Sequence, residues 1–237
     1  MSMRRNEFPF MLRRLTVGAF VCVFGIMAIR ATADDTAPLT ARVVRLTGVV
    51  RYSMNGSTWK MLKKGAILNP GALIQTAKEK SSVDVELGES DENTGNGRAS
   101  WEAPRVNLVR LFEDSALEIR KVAAKGTGAQ RVEETELYLR AGQILGAVKR
   151  LPTGSHYEVL LANGAAGVQP GVPEETGTVY VFKSTGALTV LYGTMLLAKA
   201  ETEVHTQVVA AGQQLDPATG VVVQLAPDAP ERKLWPP

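Results

Sequence analysis

From Arg42 onward, polar and apolar residues change places at every step, and this alternation constrains the fold more than any other feature. Val83, Val85 and Leu87 point one way, while Asp84 and Glu86 point the other. Leu117 and Ile119 alternate with Glu118 and Arg120. Thr135, Leu137 and Leu139 alternate with Glu134, Glu136, Tyr138 and Arg140. Successive side chains of a strand face opposite sides, so a period of two means one dry face and one wet face. Turn signals recur about every ten residues, and no amphipathic helix of three turns is visible after residue 33. The expectation is an all-β fold, sandwich-like or solenoid-like, elongated and strongly coiled.

Local signals refine it. Val49 to Met54 reads as a strand and Trp59 to Leu62 as its return, with Asn55-Gly56 suited to a tight hairpin. Asn55-Gly56-Ser57 also spells a glycosylation sequon, which the hairpin explains without modification. Trp59 is expected to cap the core. Asn69-Pro70-Gly71 reads as a turn. A strand–glycine–strand cadence occurs at Leu46 to Tyr52, Leu139 to Val148 and Leu188 to Met195, as in a coiling sheet whose backbone bends at glycines. Two segments interrupt the rhythm: a long polar loop over 88–105 and a shorter one over 123–130. The end, 226–237, is Pro-rich and is expected to be an unstructured tail.

The first 33 residues read differently. Four arginines precede an uncharged run from Leu15 to Ile29, and Ala31-Thr32-Ala33 follows. That is the pattern of a secretory signal peptide cut after Ala33. The run falls short of the ~20 residues that span a bilayer; an uncleaved anchor is the alternative. Residues 34–41 are then a polar lead and 42–225 the β domain. The chain of 237 residues carries +3 overall. Five of its 27 Lys and Arg and one of its 24 Asp and Glu lie in the first 33 residues, leaving 22 against 23. The basicity belongs to the leader, and a nucleic-acid partner is not expected. Cys22, the single cysteine, also lies there, so the exported part has no disulfide and no thiolate.

Catalytic patterns are missing. His156 and His205 alternate with core positions and point to the wet face. There is no Gly-x-Ser-x-Gly elbow and no His-Glu-x-x-His. Asp84, Glu86, Glu89, Asp91 and Glu92 form an acidic run without calcium-loop order, read as a solvated strand end. Gly142 to Lys149 and Gly164 to Gly171 lack the spacing of phosphate loops. No catalytic residue, cofactor or metal is assigned.

Residues 42 to 212 resemble the FecR domain, an exported all-β module. The resemblance rests on Gly48-Val49, then Trp59, then the run Gly65, Leu68, Gly71, Ile74 and Thr76, with Ala72 where the family usually has Asp. Gly167-Val168 stands weakly for the family's central Gly-Val-Arg-Gly-Thr, and Gly212 for its last corner. The best-known family members relay an outer-membrane transport signal to a cytoplasmic sigma factor through a cytoplasmic region. About fourteen residues before the apolar run leave no room for that region. The resemblance therefore implies a stand-alone periplasmic or secreted domain working by contact with an envelope protein, and touching membrane only through an uncleaved leader. Two alternatives stand beside it: a carbohydrate or cell-wall module using Trp59, Trp101 and Tyr138, and an envelope enzyme with paired carboxylates.

Overall fold

The computed structural model describes residues 36–88, 104–168, 177–200 and 204–235. The leader and its cleavage point at Ala33, most of the 88–105 loop including Trp101, Glu89, Asp91 and Glu92, and Pro170 and Gly171 lie outside the described residues. Asp34–Pro237 makes up one unit, and its secondary structure is nearly all strand. The alternation anticipated this. Val83, Val85, Leu117, Ile119, Leu137 and Leu139 are all buried, while Arg120 and Arg140 face solvent.

The strands run in order: β1 (Thr36–Pro38), β2 (Ala41–Thr47), β3 (Val50–Ser53), β4 (Lys60–Met61), β5 (Ile67–Leu68), β6 (Leu73–Thr76) and β7 (Ser82–Leu87). Then come β8 (Asn107–Leu111), β9 (Ala116–Lys125), β10 (Val132–Ala141), β11 (Gln143–Val148), β12 (His156–Leu161) and β13 (Gly164–Val168). Last are β14 (Thr178–Lys183), β15 (Leu188–Tyr192), β16 (Thr194–Ala200), β17 (Val204–Ala210), β18 (Gln213–Leu215) and β19 (Val222–Gln224). They form two sheets. Sheet A is ordered β17-β16-β13-β12-β10-β9-β6-β3-β4, with β1 also on β9. Sheet B is ordered β19-β18-β15-β14-β11-β8-β7-β2-β5. Inward residues from both sheets, among them Val50, Ile74, Val85, Leu137, Ile144 and Phe182, make one shared core.

The chain passes repeatedly from one sheet to the other. β2 leads into β3 from B to A, while their antiparallel partners β7 and β6 cross together beside them. β10 leads into β11 from A to B against β9 and β8 in the same way. The glycine cadence marks these crossings. Gly48 and Gly142 sit at the bends with φ of +69° and +78°. A Cβ there would strike Ser81 and Ser115 respectively. In their place the backbone approaches closely enough for Val49 N–H to donate to Ser81 Oγ and Gln143 N–H to Ser115 Oγ, each at 3.0 Å. A glycine supplies both the left-handed backbone and the missing volume. Because β11 in sheet B separates β10 from β12, the latter two pair in parallel, whereas neighbouring strands such as β9 and β10 or β12 and β13 run antiparallel. That is one coil of a solenoid built into a sandwich.

Several expectations change. Asn55-Gly56 does not close a two-residue hairpin. β3 does return as β4, with Arg51 opposite Met61, but across a six-residue loop. Asn55 Oδ1 organises that loop by accepting from Ser57 and Thr58 N–H at 3.0 and 2.8 Å. Such a side-chain turn competes with the tight hairpin for the same backbone donors. Part of the polar lead is strand β1, paired with β9 through Thr36–Lys125 and Pro38–Ala123. β9 also extends through Ala123 to Lys125, which narrows the 123–130 loop to its last residues.

The Pro-rich tail is ordered. Pro230–Leu234 forms a short 3-10 turn, and Trp235 is buried against Leu145, Ala147, Val179 and Val181 on the outer side of sheet B. Lys183 Nζ meets Glu231 Oε1 at 3.0 Å, and the Arg232 guanidinium donates to the carbonyls of Ala226 and Leu225. Sheet B is thus covered on both faces over β8, β11, β14 and β15. This explains why Gln143–Val148 reads as a nearly continuous apolar run rather than an alternating one.

Candidate interaction surfaces

The residues carrying the family resemblance take up structural positions. Leu68 and Ile74 are core residues. Thr76 Oγ1 donates to the Phe112 carbonyl at 2.6 Å and accepts from Ser115 N–H at 2.9 Å, binding two corner strands together. Gly65 and Gly71 occupy turns, and Asn69 C=O accepts from Ala72 N–H across the Pro70-Gly71 turn. Gly167 lies in β13, and Gly212 at the bend between β17 and β18. Trp59 is not in the core. It is half-buried on the outer side of β3, with the Arg51 guanidinium 4.5 Å from its ring centre. Indole and guanidinium cover one another there, which a core position would not require.

The chemistry-bearing side chains are spread out. His156 is exposed and, among the described residues, meets its neighbour on the same face, Glu158, at 3.1 Å. For His205 the strand position in β17 is described and its side chain is not. Across β9 and β10, Glu118, Glu136, Arg120 and Arg140 interlock, and both arginines lie over Tyr138, at 4.3 and 5.4 Å. Asp84, expected at a solvated strand end, is instead buried on β7, opposite Arg45 of β2 and Arg110 of β8 in sheet B. Arg110 grips both its oxygens at 2.6 and 2.8 Å, and Arg45 adds a third contact at 2.7 Å. Burial pushes its carboxyl up, while the Arg45 charge pulls it down. It faces two cations rather than a second acid, so the arrangement is a clamp and not an acid–base pair. Among the described residues no three His, Cys, Asp or Glu gather as metal ligands would.

A cleft of about 680 Å³ opens at the corner lined by Ser81, Asp114 and Gly142. Glu79, Lys80 and Asp114 adopt left-handed backbone around it, with φ of 63°, 60° and 53°. Glu113 Oε2 accepts from Lys80 N–H at 2.7 Å, and Ala77 C=O from Asp114 N–H at 3.1 Å. These bonds hold the strained turns. The charges lining the cleft are mixed and converge on no point.

The sheet ends are more distinctive. Edge strands β4, β5 and β19 are two, two and three residues long, whereas β17 has seven. No further strand pairs with β17 among the described residues. Residues 206–210 carry no charge, and Val208 is 57% exposed. Ala210 N–H donates to Gln213 Oε1, off the ladder to β16. In an antiparallel strand alternate residues face alternate sides. Thr206 and Val208 therefore turn their backbone groups the same way as Ala210, toward the open edge.

At the opposite end, a feature absent from whole-chain charge arithmetic emerges. From Thr36 to Lys78 there is no Asp or Glu, while Arg42, Arg45, Arg51, Lys60, Lys63, Lys64 and Lys78 all fall within this stretch. Counting acids by segment would have revealed it. The turn through Lys63, Lys64 and Gly65 joins β4 to β5 and so bridges the two sheets. Lys60, Lys63 and Lys64 are exposed and make no ion pair among the described residues. Met61, 59% exposed, lies on the outer side of sheet A, and Ile67, 50% exposed, on the outer side of sheet B. Met54, also exposed, is nearby in the β3–β4 loop.

No family model, curated protein or solved structure matches the chain.

Proposed function

We propose that this chain is a non-catalytic, exported module of FecR type that works by binding a protein of the cell envelope, in the periplasm or outside the cell. The observation that supports this reading is the β17 edge. It is long, uncharged and solvent-facing, without the bulges, prolines or lysines that usually blunt such an edge. An open edge of this kind accepts a partner's extended segment as an added strand: main-chain hydrogen bonds supply affinity, and side-chain pockets supply selectivity. The covered outer face of sheet B and the interlocked charges of β9 and β10 leave β17 as the surface best suited to such pairing.

The test is a single backbone donor. Val208→Pro removes one N–H that faces the open edge and none that faces β16, so the fold should tolerate it. A photo-crosslinking residue at Thr206 should capture an envelope protein in cells, and Val208→Pro should abolish that crosslink while leaving the unfolding midpoint nearly unchanged. A crosslink that persists in the proline variant, or none at all from this edge, would defeat the reading.

A further inference from the structure

We infer that the β4–β5 end of the sandwich docks on an anionic lipid surface. This inference rests on a different surface from β17 and does not depend on it. The Lys63-Lys64 turn forms a tip between the sheets, Lys60 stands beside it, and Met61 and Ile67 flank it on either side, both at least half exposed. No acid in residues 36–78 offsets these charges. Cationic side chains surrounding exposed aliphatic ones complement a bilayer interface. The ammonium groups meet headgroup phosphates, and the aliphatic tips enter the acyl boundary.

The chemistry of the tip favours lipid over other anions. An added peptide strand needs a ladder, and β4 and β5 offer two residues each. A single-stranded nucleic acid stacks its bases on exposed rings, and Trp59, next to Lys60, is already covered by Arg51. Lysine is a compact point charge that does not demand the planar, two-pronged geometry of arginine, so the tip suits a fluid layer of phosphates. This contact belongs to the folded domain and is separate from any made by an uncleaved leader.

Residues 34–237 hold the whole described core as a unit of their own, and they are the form to test, because the Leu15–Ile29 run would itself partition into lipid. Binding would be measured by co-sedimentation with vesicles of phosphatidylglycerol and phosphatidylcholine, with pure phosphatidylcholine alongside. The expected result is binding to the anionic vesicles alone, lost in high salt. Replacing Lys60, Lys63 and Lys64 together by Gln should weaken it roughly 100-fold, and Met61→Ser with Ile67→Ser roughly 10-fold. All five positions are exposed, and unchanged circular dichroism would verify folding. Equal binding to neutral vesicles, or insensitivity to the lysine replacements, would overturn the inference. So would binding of polyglutamate that survives Met61→Ser with Ile67→Ser in a protein that leaves vesicles unbound. That result would assign the tip to an acidic polypeptide.

Discussion

The hydroxyls of Tyr157 in β12 and Tyr180 in β14 meet 2.9 Å apart inside the core, joining the two sheets through a single hydrogen bond. Both rings are fully buried and sit edge to face, with centroids 6.3 Å apart and planes at 69°. The pair has room because β11 carries Gly146 opposite Tyr180, and a Cβ at that position would lie inside the Tyr180 ring. Three strands in two sheets thus settle one contact. Each phenol satisfies the other, and no buried side-chain nitrogen or oxygen among the described residues is left without a partner.

That mutual satisfaction predicts a non-additive pair. Tyr157→Phe or Tyr180→Phe alone strands one buried hydroxyl and should cost about 1–3 kcal/mol in urea unfolding. The double replacement removes both polar atoms and should cost less than the sum of the two, a coupling that a double-mutant cycle reads directly. Additive losses would show that the hydroxyls do not rely on one another.

The same burial sets a response to alkali. Both phenols are pushed above the ordinary value of 10.0, chiefly by desolvation, and the two rings stand against one another at close range. Above pH 10 the unfolded chain releases these protons while the folded chain retains them, so stability falls as pH rises. The loss should be absent below about pH 10 and then approach roughly 1.4 kcal/mol per pH unit for each tyrosine. Denaturant titrations between pH 9 and 11.5 would measure it, and the double Phe variant should lose most of the slope.

Asp84 ties β7 to its neighbours β2 and β8 in sheet B. Asp84→Ala leaves Arg110, only 12% exposed, without its carboxylate, and should destabilise by about 3 kcal/mol. Arg45→Ala should do much less, because that side chain is 53% exposed and its charge is screened by water. Thermal unfolding of the two variants separates these effects.

The ordered tail carries a packing prediction. Trp235→Ala uncovers Leu145, Ala147, Val179 and Val181 on the outer face of sheet B. It should cost about 3 kcal/mol and increase binding of a hydrophobic dye to the native protein. A variant as stable as the parent, with no gain in dye binding, would mean that the tail adds nothing to the sheet.

Some of this was legible in the residues and some was not. The alternation at Val83 to Leu87 and at Thr135 to Arg140 determined strand character and inward faces, because a pleated backbone fixes side-chain direction locally. Gly48 and Gly142 marked bends for the same reason: positive φ and missing volume are properties of one residue and its neighbours. Partnership between distant segments was another matter. That Asp84 would lie between Arg45 and Arg110, that Trp59 would rest under Arg51, and that Trp235 would cover β11 and β14 depended on which strands became neighbours across the sheets. The basic tip shows both sides of the divide. The acid-free run from Thr36 to Lys78 was present in the chain from the start, but only the turn from β4 to β5 gathered its lysines at one end, between two exposed aliphatic side chains. Charge and periodicity act along the chain, while a surface exists only once the chain has returned on itself.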